Sequence, residues 1–172
     1  MNYINGGQSD EIVNGDAGND SVFGGSGNDI VNGGAGDDQV FGGHGEDIVN
    51  GGTGNDQVFG GHGSDIVNGG SGSDSVLAGN GDDVAVYSMA ENRGAQDYYN
   101  GQAGHDRLTL EFTAAEWEQA DVRADVAAYL EVWQSPEGAN PWVPGVNNFQ
   151  FSAFDLTVSQ FEALNVIVDG AA

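Results

Sequence analysis

The chain has 172 residues, with 27 Asp and Glu against 3 Lys and Arg, and a formal net charge of −24. So acidic a surface repels nucleic acid and anionic membrane, which both demand positive charge, and it favours cations. There is no Cys, so neither a disulfide framework nor a thiolate metal site is available.

The opening residues, Met1 to Gly7, hold no basic stretch and no apolar run, so no Sec-type signal peptide is expected there. Apolar runs such as Val84-Ala85-Val86-Tyr87 fall far short of the roughly 20 residues that span a bilayer, so no membrane insertion is expected. Residues 1–86 carry 14 of the acids, 24 of the 30 glycines, no Lys or Arg, and four aromatics (Tyr3, Phe23, Phe41, Phe59). Residues 87–172 carry the other 13 acids, Arg93, Arg107 and Arg123, and 12 aromatics. That shift predicts a boundary near residue 86.

From Gly6 the chain divides into nine consecutive nine-residue units, beginning at 6, 15, 24, 33, 42, 51, 60, 69 and 78 and ending at Val86. The cleanest reads Gly24-Gly25-Ser26-Gly27-Asn28-Asp29-Ile30-Val31-Asn32. The sixth position is Glu11 in the first unit and then Asp20, Asp29, Asp38, Asp47, Asp56, Asp65, Asp74 and Asp83. The last three residues alternate between Ile-Val-Asn and Ser/Gln-Val-Phe, which makes the true period 18. A repeat of that length predicts a coil with two short strands and two loops per turn.

Three-residue strands would point the eighth position inward and the seventh and ninth outward. One sheet then stacks Val13, Val31, Val49, Val67 and Ala85; the other stacks Ile4, Val22, Val40, Val58 and Val76. Two buried valines per turn are too little to order a whole turn so rich in glycine, and the aspartates of one edge would repel one another. Without a cation this segment is expected to be disordered. Glycines let the backbone turn carbonyl oxygens inward, and Asp completes an oxygen cage of the kind Ca²⁺ prefers over Mg²⁺ or Zn²⁺. The expected ligands are the side chains of Glu11 and the eight aspartates, with backbone carbonyls such as those of Gly24, Ser26, Gly33, Ala35, Gly42, His44, Gly51, Thr53, Gly60 and His62. One edge carries Glu11, Asp29, Asp47, Asp65 and Asp83; the other carries Asp20, Asp38, Asp56 and ends at Asp74. Counting the gaps between adjacent loops predicts about seven calcium sites.

A GGxGxDxUx unit repeated nine times from Gly6 to Val86 resembles the RTX, or hemolysin-type, calcium-binding repeat. The resemblance implies a mainly β fold, a right-handed parallel β-roll of nonapeptide repeats, with calcium held in the turns.

On the outer faces, Ile12, Ile30, Ile48 and Ile66 would line up beside Asn14, Asn32, Asn50 and Asn68, and Phe23, Phe41, Phe59 and Leu77 beside Ser21, Gln39, Gln57 and Ser75. Such rows stabilise a sheet by cross-strand contact, or serve as a self-association or ligand surface. His44 and His62 fall one turn apart on one edge, either as exposed loop residues or as partners for a softer metal. A degenerate tenth unit, Gly101-Gln102-Ala103-Gly104-His105-Asp106-Arg107-Leu108-Thr109, offers Asp106 as a candidate for one further calcium and leaves open whether it adds a site.

Beyond it, Leu108, Leu110 and Phe112 alternate as in a strand, and Thr113-Ala-Ala-Glu116 is a capping box opening a helix through Trp117. Asp121 is placed to cap a second helix with Val122, Val126, Tyr129, Leu130 and Trp133 on one face. Residues 135–148 read as a loop; Phe149 and Phe151, then Phe154, Leu156 and Val158, then Leu164, Val166 and Val168 read as strands. This half is expected to be a small α+β cap. Phe154 to Leu164, followed by Val168-Asp169-Gly170, is similar to C-terminal segments of exported RTX proteins, which implies an uncleaved signal for type I secretion and a secreted, extracellular location. The functional expectation is a calcium-dependent folding module and not an enzyme, with calcium and the secretion machinery as partners. The alternative is an adhesin or self-association module using an outer face.

Overall fold

A computed structural model describes residues 1–133 and 148–169. The repeats form β1 (Tyr3–Gly7), β2 (Ile12–Asn14), β3 (Ser21–Ser26), β4 (Ile30–Ala35), β5 (Gln39–His44), β6 (Ile48–Thr53), β7 (Gln57–His62), β8 (Ile66–Ser71), β9 (Ser75–Asn80) and β10 (Val84–Ser88). Odd-numbered strands pair in parallel in one sheet and even-numbered strands in the other. The chain therefore winds as a coil that visits each sheet once per turn, as the repeat period predicts. Fold class and register agree with the sequence. Val13, Val31, Val49, Val67 and Ala85 are in register in one sheet, and Ile4, Val22, Val40, Val58 and Val76 in the other.

The strands are longer than the three residues expected. β3 to β9 each span six, running from the seventh position through both glycines, or Ala78-Gly79 in β9, to the third position of the next unit. The first glycine faces inward, buried two residues after the valine. The second takes a positive φ, 121° at Gly43, and a Cβ there would strike the carbonyl of Gly25 one turn earlier. Asp16 holds the same left-handed position with φ 73° in the first turn, where no earlier coil lies beneath it.

Both sheets continue past residue 86. β11 (Asp97–Ala103) pairs in parallel with β9, and β12 (Arg107–Thr113) with β10. These strands make one more turn of the same coil, reached through an insertion: column partners that were 18 apart become 23 apart. α1 (Ala114–Trp117) and α2 (Ala120–Trp133) follow, then β13 (Asn148–Phe151), β14 (Leu156–Ser159) and β15 (Ala163–Asp169). β14 and β15 add a last parallel strand to β11 and β12, and β13 closes the first sheet with an antiparallel edge.

The Thr113/Glu116 capping box forms as the sequence predicts. α2 begins at Ala120, so Asp121 lies inside the first turn instead of before it, where its charge still favours the N-terminal dipole. Val122, Val126 and Tyr129 are buried, whereas Leu130 is exposed; the Trp133 side chain lies outside what is described. Most of the loop expected over 135–148 also lies outside the described residues, and Asn148 opens β13. Past Ala85 the valine core gives way to an aromatic one, in which Tyr87 packs edge-on to Tyr99 and Phe154 stacks on Phe151. No helix among the described residues is long and apolar enough to cross a membrane.

Candidate metal centre: two columns of buried carboxylates

The winding of the coil places each sixth-position acid directly above another, one turn away. In each case the backbone N–H of one residue in the column donates to Oδ1 of the aspartate one turn later. Glu11 donates to Asp29, Asp29 to Asp47, Asp47 to Asp65 and Asp65 to Asp83, each at 2.8 Å. On the other edge Asn2 donates to Asp20, Asp20 to Asp38, Asp38 to Asp56 and Asp56 to Asp74.

The second oxygen is left over. Oδ2 of each of the eight aspartates, and Oε2 of Glu11, is buried with no hydrogen-bond partner. The aspartates are 1–3% exposed. A row of buried, half-satisfied carboxylates is costly unless a cation compensates it. Burial holds three of them away from their charged form: Asp56 and Asp65 are pushed up to about 7 and Asp74 to about 6. The backbone N–H bond opposes the shift, and the next carboxylates in the column add to it for Asp56 and Asp65. Burial raises Asp38, Asp47 and Asp83 in the same direction.

Beside the orphan oxygens of Asp29, Asp38, Asp47, Asp56, Asp65 and Asp74 the first glycine of the unit leaves a small cradle, whereas the unit of Asp83 has Ala78 at that position. A Cβ built on Gly24 would lie 2.6 Å from Asp29 Oδ2 and 2.5 Å from the carbonyl oxygen of Gly42, one turn on. Gly42 repeats the arrangement with Asp47 Oδ2 and the carbonyl of Gly60 at the same two distances. The carbonyls of Gly24, Gly33 and Gly51 reach the corresponding cradles at Gly6, Gly15 and Gly33. A carboxylate oxygen and a carbonyl oxygen thus converge at Gly24, Gly33, Gly42, Gly51 and Gly60, the donor set a hard cation takes. The third-position carbonyls of Ala35, His44, Thr53 and His62 each accept a glycine N–H from the turn before, which leaves each a second lone pair.

His44 and His62 stack at 4.8 Å on the exposed edge, and His62 Nδ1 lies 3.1 Å from the amide nitrogen of Asn80. Among the described residues no three His, Asp or Glu side chains gather at one point; the acids are strung out in columns.

Two features lie outside the sequence expectations. The fifth position forms a second, exposed ladder of opposite sense: Asn19, Asn28, Asp37 and Asn55 each accept the N–H of the residue one turn later. Only short polar residues and Glu46 occupy that position, which is the signal that would have revealed it. The columns also run on. Asp74 donates to Oδ1 of Asp97, so that edge does not end at Asp74; on the other edge Asp83 donates to Oδ1 of Asp106, the aspartate that the tenth unit offered. Asp97 escapes a nine-residue search because of the insertion, although Asp97-Tyr98-Tyr99-Asn100-Gly101 repeats the frame of Asp47-Ile48-Val49-Asn50-Gly51.

Two sheets wound from repeating turns, with unpartnered carboxylates stacked along both edges, define a parallel β-roll with cation-seeking turns. The family model of the RTX calcium-binding nonapeptide repeat (4 copies) matches residues 5–40, 23–58, 41–76 and 50–85. Residues 5–85 belong to that family, whose repeats bind calcium. No curated protein and no solved structure matches the chain.

Proposed function

We propose that the chain is a secreted calcium-dependent folding module, without order in its repeats until calcium fills the turns. The observation that carries this reading is the pair of columns in which every buried aspartate keeps one oxygen unpartnered. Glu11, Asp20, Asp29, Asp38, Asp47, Asp56, Asp65, Asp74 and Asp83 supply the side-chain ligands, and about seven ions fill the gaps between their loops. Carbonyls of the first and third positions of the units, such as those of Gly24 and Ser26, complete the cages. Extracellular calcium modules bind at about 10⁻⁴–10⁻³ M, well above cytosolic levels. A chain that is unfolded inside the cell can pass an export channel and fold outside, in keeping with the resemblance of Phe154 to Leu164 to type I secretion segments.

Residues 87–172 act in this reading as the cap of the unit formed by residues 1–86. Leu156 stands in register with Asp97, replacing the acid at the end of one column, and β13 presents an antiparallel edge on which the coil cannot continue. Far-UV circular dichroism with and without calcium tests the proposal. Millimolar calcium should produce β signal, chelator should erase it, and Mg²⁺ should substitute poorly; full β signal in excess chelator would end the reading.

One observation favours a second role. Ile12, Ile30, Ile48 and Ile66 stand 38–69% exposed in a straight row, a surface suited to self-association or adhesion. A mass that rises with protein concentration in calcium supports it; a strict monomer does not.

A further inference from the structure

We infer that the turn built by residues outside the repeat match holds calcium as well, through Asp97 on one edge and Asp106 on the other, and so clamps the C-terminal segment to the roll. This inference rests on the calcium reading above. The matched repeats end at residue 85, yet Asp97 and Asp106 reproduce the burial and bonding of the repeat aspartates. Each is buried, 3% and 0% exposed. Oδ1 of each accepts the backbone N–H of the acid below it, Asp74 at 2.8 Å and Asp83 at 2.9 Å. Oδ2 of each has no partner. Beside Asp106 the cradle recurs: a Cβ on Gly101 would lie 2.5 Å from Asp106 Oδ2 and would also meet the carbonyl oxygen of Gln160.

That carbonyl belongs to the C-terminal segment, between β14 and β15, where the repeats would place a first-glycine carbonyl. The same segment also accepts the Asp106 N–H through Glu162 at 2.7 Å. Near Asp97 the insertion buries Asn92, 2% exposed, with its Oδ1 unpartnered. No arginine neutralises this turn: Arg93 pairs with Glu116, Arg123 pairs with Glu118, and Arg107 is exposed. An ion at Asp106 would therefore bridge repeat-derived strands and a segment much further along the chain, so calcium order in the roll and docking of its end become one event.

The test counts calcium on the full chain by native mass spectrometry at saturating metal, for wild type, Asp97→Asn, Asp106→Asn and the repeat control Asp56→Asn. Asn keeps the shape and the acceptor for the N–H below but removes the charge. The expected result is at least one ion fewer in each variant than in wild type, with C-terminal trypsin cleavage at Arg107 or Arg123 accelerated at least tenfold in Asp106→Asn. Wild-type counts for Asp97→Asn and Asp106→Asn, with a reduced count for Asp56→Asn, overturn the inference and leave the repeat reading standing. A wild-type chain that binds no calcium overturns the repeat reading itself. If an Asn variant does not fold even at about 10 mM calcium, the matching Glu variant decides: Glu occupies a column position at Glu11, so recovery of fold and ion count by Glu supports a carboxylate–calcium contact, and failure of both overturns it.

Discussion

Each repeat aspartate does two separable things with its two oxygens. Oδ1 ties its turn to the one below, and Oδ2 is left buried and unsatisfied, the part that calls for a cation. Asp56 sits mid-column, accepting from Asp38 and donating to Asp74, so it borders two gaps. Glu11 borders one, at the open end. Asp56→Ala should raise the calcium midpoint roughly tenfold, the equivalent of one charge-assisted hydrogen bond at about 1.5 kcal/mol, and lower the cooperativity. Glu11→Ala should shift it less than about twofold, at the level of a partly exposed interaction. Calcium titration followed by circular dichroism separates them; equal shifts would mean that loops one turn apart do not share ions.

At the scale of the column, charge and burial oppose each other. Burial, resisted by the backbone hydrogen bonds and reinforced by neighbouring carboxylates, lifts Asp56 and Asp65 from 3.8 to about 7 in the folded roll. A folded value above the unfolded one means that the folded state binds more protons between them, so the metal-free roll loses stability as pH rises through that window. With calcium absent, acidification from above about 7 toward about 4 should therefore increase β signal. With calcium present at limiting concentration the sign should reverse, because protons compete for the same oxygens. Circular dichroism against pH under the two conditions checks this. The same slope in both would show that the carboxylates do not carry the calcium response.

The whole roll gains only from contacts between neighbouring turns, so its ends decide whether it holds together. At the C-terminal end Asp97 and Asp106 accept the N–H groups of Asp74 and Asp83, and the Tyr99 hydroxyl accepts that of Gly69 at 3.0 Å. Removing residues 87–172 strips all three acceptors, cuts the last two residues from β10 and exposes the edges of β9 and of what remains of β10. Residues 1–86 alone should stay largely disordered at millimolar calcium and fold when residues 87–172 are restored. Circular dichroism of the two chains across a calcium titration is the measurement; folding of the shorter chain at the same midpoint would remove the cap role.

The sequence by itself determined the coil, the register and most of both columns. Inward valines and sixth-position acids recur in strict phase, and that phase leaves only one way to stack Val31 on Val49 or Asp29 on Asp47. It also contained the capping box at Thr113, because that device is local in the chain. What only the tertiary structure decided lies where phase is lost. The insertion between β10 and β11 moves Asp97 out of the nine-residue frame, and only strand pairing shows that it sits on Asp74. The partners of Asp106, at Gln160 and Glu162, lie far along the chain and share no motif with it; their meeting depends on β15 pairing with β12. The strands are six residues long for a similar reason. Whether a glycine extends a ladder or breaks it depends on the carbonyl it meets one turn away, a contact that exists only once the coil has closed on itself.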